Sequence, residues 1–271
     1  MANSTQTREA APHKDYLLEC LREWPLSHAL LRAIECRKIR KYPLEPPILE
    51  IGCGDGFLSA LLFQVPPKAG VDIRPSALAR VHARGQYRRV LAADAAALPF
   101  PGASFSGVFS NCVLEHVDRL PEALAEIARV LRMGGALLAT IPTPRWESEG
   151  PFPSWRRAGF HGASRALNGL LRRAWHHVTL DEREGWQDRL ERASFRLQVW
   201  EPYLGRLAYA HYARCLPGSS VSLLAEKIPG LGAAVRSARR RRAPARAGEL
   251  QGAYLAEEET GACALLLAIR S

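Results

Sequence analysis

The sequence predicts an α/β fold, a mostly parallel sheet with helices on both faces. Three observations carry that expectation. From Pro47 onward, short apolar runs alternate with amphipathic stretches, as parallel strands and their crossover helices do. The first run, Ile48-Leu49-Glu50-Ile51, stops at a turn with glycines at 52, 54 and 56. The longest apolar runs, Gly135 to Ile141 and Cys263 to Ile269, are strand-sized and far short of the roughly 20 residues needed to cross a bilayer.

The elements follow in order. Residues 1–14 are polar and read as a disordered tail. Tyr16, Leu17, Leu21, Leu26, Leu30 and Ile34 recur at helical spacing around Pro25, giving helices over about 15–23 and 26–40. These helices and the prolines up to Pro47 form a helical lid, 15–46, in front of a core over 47–142. Within the core the expected order is strand 48–51, helix 57–64, strand 69–73 and helix 76–84. Strands 89–92 and 105–110, helix 121–132 and strand 135–141 complete it. Residues 143–190 form an insertion rich in Trp, Phe, Gly and Pro, and Thr179-Leu180-Asp181-Glu182 reads as a capping box opening a helix to about Arg192. Phe195, Leu197 and Val199 alternate with polar residues, as in a strand. The 202–261 excursion is too long for a bare loop, so helices are expected over about 204–215 and 219–240 before a last strand at 262–269.

Composition narrows the function. With 271 residues, 47% hydrophobic and 24% charged, the chain has the apolar content that disordered proteins lack. Its six cysteines form no CxxC pair or zinc spacing, so no metal is expected and the thiols read as small packed residues. The first fifteen residues lack an apolar signal region, which points to a cytoplasmic protein. The net charge is +10, with Arg outnumbering Lys 32 to 5. That excess fits nucleic acid, an anionic membrane, an acidic substrate, or simple compositional bias.

The chemistry concentrates at strand ends, where open sheets bind ligands. Glu50-Ile51-Gly52-Cys53-Gly54-Asp55-Gly56 lies between a strand and a helix. Its glycines permit a tight turn, and the helix start offers free N–H groups to a nucleotide-like ligand. It is neither the dinucleotide fingerprint, because Phe57 breaks the spacing, nor a P-loop. Asp72 ends the second strand and can accept from ribose hydroxyls; Asp94 follows the third and can accept from an adenine amine.

In sequence order, ILEIGCGDG, GVDIRPSAL, AADAAALPFPGASFSGVFSNCVLEHV and VLRMGGALLATIPT resemble class I S-adenosylmethionine-dependent methyltransferases over roughly 47–142. The similarity is to the small-molecule branch that includes quinone and natural-product enzymes. It implies a Rossmann-like seven-stranded sheet and S-adenosylmethionine as cofactor. It also implies that Glu50, Gly52, Cys53, Gly54 and Gly56 line its methionine and ribose part. Asp72 would hold the ribose, Ile73 and Ala95 would border the adenine with Asp94 at its edge, and Asn111 and Cys112 would flank the end of the fourth strand.

A hydroxyl acceptor also needs a base. His116, after the fourth strand, is the candidate catalytic residue, with a structural cap as the plainer reading. Trp146, Trp155, His161 and His176 are acceptor-pocket candidates, or else packing residues under a long loop. Arg239, Arg240, Arg241 and Arg242 read either as a peripheral contact for an anionic membrane or as a solvated helix end. The expected reaction is methyl transfer, O-methylation favoured, to a small-molecule or glycolipid acceptor. A non-catalytic cofactor-binding scaffold is the alternative from another class. An RNA methyltransferase is the other alternative, although Ser110-Asn111-Cys112 lacks the Pro-Pro-aromatic and Pro-Cys segments of nucleic-acid enzymes.

Overall fold

A computed structural model describes residues 15–85, 87–149, 159, 162 and 177–271. The expected tail at 1–14 and the candidates Trp155, His161 and His176 lie outside the described residues.

Seven strands form one sheet in the order β3-β2-β1-β4-β5-β7-β6. They are β1 Ile48–Ile51, β2 Ala69–Asp72, β3 Val90–Ala92, β4 Phe105–Asn111, β5 Leu131–Pro142, β6 Phe195–Tyr203 and β7 Cys263–Arg270. The pairs among β1 to β5 are parallel, whereas β7 runs antiparallel to both β5 and β6. The chain moves from β1 outward to β3 and then returns to the other side of β1. That reversal opens a crevice at the carboxyl ends of β1 and β4.

Alternation along the strands makes two cores. Leu49, Ile51 and Val108 face one side of the sheet and pack with Leu124, Ile127 and Trp186; Ile48, Phe109, Leu138 and Leu265 face the other. The first side is covered by α5 (Leu120–Val130) and by α7 (Arg183–Arg192). The second is covered by α1 (Tyr16–Glu23), α2 (Leu26–Ile39), α8 (Arg206–Ala225) and α9 (Leu231–Leu255). Helices α3 (Phe57–Leu62), α4 (Pro75–Arg84) and α6 (Arg145–Glu149) complete the described set.

The structure differs from the sequence expectation in several element bounds: β5 starts at Leu131, where the preceding helix was expected to run to 132, and three helices in the second half differ more. Helix α7 opens at Arg183, and no side chain caps it. Thr179 instead donates its backbone N–H, as does Val178, to the carbonyl of Glu115, which ties the segment before α7 to the turn after β4. Helix α8 runs through Pro217, and α9 runs through Pro244 to Leu255. Packing of α8 on α2 and of α9 on α1 holds both helices past residues that break isolated ones.

Candidate functional site

The carboxyl ends of β1 to β4 open into one cavity of about 620 Å³, within the range of small-ligand sites. Its wall begins with Ile51 and Gly52. The glycine turn is built from left-handed backbone, with φ of +73°, +55° and +74° at Gly52, Gly54 and Gly56. A side chain at Gly52 would collide with Val113, which also lines the cavity. The turn is locked by the N–H groups of Gly52 and Cys53, which both donate to the Val71 carbonyl.

Asp72 sits beside this turn and is only 4% exposed. One carboxylate oxygen accepts from Gly54 N–H at 3.0 Å, and the other from Arg74 N–H at 2.9 Å. Arg74 Nε also donates to the second oxygen, at 3.3 Å. Of about four carboxylate lone-pair sites one stays free for a ribose hydroxyl, and a second opens when the 68% exposed Arg74 side chain swings aside. Ile73, 70% exposed, stands at the cavity mouth as an unusually open apolar surface. Asp94 accepts from Ala96 N–H and from Arg119, and these two partners hold its carboxyl below the usual range, the backbone bond most of all. Ala95 and Cys112 complete the wall.

Not every expected residue meets the cavity. Glu50 is buried beneath the turn, where Ser59 and Tyr87 donate to it and burial pushes its carboxyl up to about 7. Cys53 is buried against Gly70 under the same turn. Glu50 and Cys53 therefore shape the turn rather than line the cavity. Asn111 is held by Arg32 at 2.5 Å and itself donates to Thr140.

A polar network behind Asn111 escaped the sequence reading. Arg32 pairs with Glu35 at 2.7 Å, and Glu35 accepts from Tyr203 at 3.0 Å and from the Cys112 thiol at 3.2 Å. Burial and the neighbouring Glu35 keep that thiol protonated. Arg32 and Glu35 lie one helical turn apart within the otherwise apolar stretch of α2. Charges on a buried helix face are the signal that could have found them.

His116 lines the cavity, in a 3₁₀ turn over Leu114–His116. Glu115, next to it, is 1% exposed. Its carboxyl is pushed up to about 8 by burial. One of its oxygens lies 3.7 Å from His116 Nε2, and the other has no hydrogen-bond partner among the described residues. His177 stacks near His116, with ring centroids 5.2 Å apart. The three side chains bring donor atoms within 4.8 Å of one another, an arrangement able to share a proton or hold a cation. Trp146 is 7% exposed and packed against Tyr209 and Tyr212, with His177 at its edge. It is a core residue beside the site rather than an open stacking surface.

The run Arg239 to Arg242 does not form one outward face. Arg239 turns inward to Glu226 and to the Glu23 carbonyl. Arg240 stands 3.9 Å from Glu23, and Arg241 donates to Ser237. Among the described residues, no helix is long and apolar enough to cross a membrane.

Residues 49–139 match the family described as "Methyltransferase domain". A malonyl-[acyl-carrier protein] O-methyltransferase of Halorhodospira halophila is 38% identical over 97 residues, 34% of this chain and 33% of that protein. An uncharacterized methyltransferase of Mycobacterium bovis is 32% identical over 137 residues, 48% of this chain and 65% of that one. The chain thus spans about a third to two thirds of these relatives' length. A solved S-adenosylmethionine-dependent methyltransferase of Thermotoga maritima, titled a possible histamine N-methyltransferase, shares the fold with a TM-score of 0.56. Its identity is 17%, over 91% of this chain and 92% of that one. The [4+2]-cyclase SpnF shares the fold at a TM-score of 0.54 and 18% identity, over 90% and 81% of the two chains.

Proposed function

We propose that this chain, which carries a class I S-adenosylmethionine-dependent methyltransferase domain at its centre, methylates an oxygen of a small-molecule acceptor, with His116 as the base. The observation that carries the reading is that Gly52, Asp72, Asp94 and His116, from four separate segments, line one cavity at the strand ends. The residues fit the cofactor: a fixed carboxylate with one free acceptor site for the ribose and a second that Arg74 can vacate, an apolar side chain at the mouth for a flat base, and a tight glycine turn. When bound, the cofactor supplies a methyl group on a cationic sulfur whose leaving group is neutral.

The protein's part is positioning and proton handling. Asp72 would hold the ribose hydroxyls, and Ile73 with Ala95 would border the adenine. His116 would take the proton of the acceptor hydroxyl at Nε2 or Nδ1. Glu115, whose carboxyl lies 3.7 Å from the imidazole and is raised to about 8 by burial, would ionise to answer the imidazolium's charge. The buried Arg32–Glu35–Tyr203 network holds Asn111 and Cys112 at the end of β4. Support for an oxygen acceptor comes from the malonyl-[acyl-carrier protein] O-methyltransferases among the relatives. A neighbour titled a geranyl diphosphate methyltransferase, in complex with GPP and sinefungin, supports a small-molecule acceptor.

A second reading, a cofactor-binding module without methyl transfer, is favoured by the likeness to a protein titled a cyclase. Labelled S-adenosylmethionine incubated with the protein and fractionated small-molecule extract tests both. Label in a small product, lost with His116→Gln, supports the first. Saturable cofactor binding with no transfer to any fraction supports the second.

A further inference from the structure

A second cavity, about 640 Å³, opens between the junction of α1 and α2 and the α8–α9 pair. Leu21, Trp24, Leu26 and Val235 form an apolar wall. Arg214, Arg239, Arg242 and Arg246 border the same space, and no acidic side chain lines it. Cations gathered around one cavity repel one another unless an opposite charge answers them. Two of the four are answered within the protein: Arg239 by Glu226 and Ser222, and Arg246 by Glu249 at 2.6 Å. Among the described residues, Arg214 and Arg242 have no acidic partner.

The surroundings reinforce that field. Residues 206–255 hold nine basic and two acidic residues, a net of +7 against +10 for the whole chain. His28, on α2, is close enough to both Arg32 and Arg239 to feel their charges. Burial, and then the Arg32 and Arg239 charges, push its imidazole down to about 4. Arg32 in turn donates to Asn111 at the end of β4. Arg239 is already pinned by three partners, so little ordering is left for it when a ligand arrives.

We propose that this groove binds a single-chain amphiphile with a phosphate head, the guanidinium forks taking the phosphate and the Leu21–Trp24–Leu26 wall taking the start of the hydrocarbon chain. Arginine presents planar paired donors that match phosphate oxygens, and the adjoining apolar wall offers the tail a place out of water. This site is independent of the methyl-transfer reading, because binding is measured without cofactor or acceptor.

The test is calorimetric titration of the full chain with dodecyl phosphate below its micelle-forming concentration. Inorganic phosphate, dodecyl maltoside and phosphatidic-acid vesicles are run alongside. Saturable one-to-one binding of dodecyl phosphate is expected. Inorganic phosphate should bind roughly tenfold more weakly or worse, for want of the apolar wall. The Arg214→Gln/Arg242→Gln double variant should lose about tenfold or more, as fits the removal of charge-assisted contacts. Its titration with S-adenosylhomocysteine should be unchanged, which certifies the fold. The proposal is overturned by absence of saturable binding, by equal affinity in the double variant, by equal binding of dodecyl maltoside, or by binding to vesicles alone.

Discussion

Replacing Gly52 by Ala tests how the glycine turn is built. Two costs are expected. The residue has φ +73°, and an L side chain there costs roughly 1–2 kcal/mol. An added Cβ would also lie 3.0 Å from Val113 Cγ1 and closer still to Cγ2. Valine has a stiff χ1 and cannot swing away cheaply, so overpacking adds about 1–3 kcal/mol. Gly52→Ala should therefore destabilise the protein by roughly 2–5 kcal/mol. Val113→Ala removes both colliding methyls but leaves the backbone strain. In a double-mutant cycle the two changes should couple favourably by about 1–3 kcal/mol. Urea unfolding followed by circular dichroism at one pH gives all four stabilities. Additivity within about 0.5 kcal/mol would refute the collision, and an unchanged Gly52→Ala stability would refute the strain as well.

Glu50 makes a pH prediction. Its carboxyl is raised from 4.5 to about 7 by burial, so the folded chain holds a proton that the unfolded chain releases. Its contribution to stability is therefore greatest below pH 4.5 and falls away as pH rises to 7, by about 3 kcal/mol in all. Glu50→Gln should flatten that part of the stability–pH curve, and a curve parallel to the parent's would sink the assignment. His116→Gln should lower kcat on the acceptor by about 10²- to 10⁴-fold while S-adenosylhomocysteine affinity is largely kept. An unchanged kcat would remove His116 as the base.

The core was legible because its signals are local. The apolar runs at 48–51 and 135–141 and the glycines at 52, 54 and 56 each specify their own turn of chain, and the seven-stranded order came with the family resemblance. What stayed hidden depends on distant partners. Thr179 has the side chain of a helix cap, yet its backbone is claimed by Glu115, 64 positions earlier. Pro217 and Pro244 mark helix ends in isolation, but packing on α2 and α1 carries both helices through them. The site shows the same division. Asp72 and Asp94 were readable as acids at strand ends, and both line the cavity. Glu50 was expected beside the ligand, but its side chain leaves the strand on the α3 side and meets Ser59 and Tyr87. Arg32 joins the site only because α2 packs across the end of β4.

The central claim is that the cavity at the ends of β1 to β4 holds S-adenosylmethionine through Asp72. Calorimetric titration of S-adenosylhomocysteine into the parent protein and the Asp72→Ala variant tests it most directly. Two hydrogen bonds to a charged acceptor are at stake, each worth about 1.5–3 kcal/mol. One-to-one binding to the parent should weaken by roughly 10²-fold or more in the variant. Equal affinity for the two proteins would contradict the assignment of the cavity.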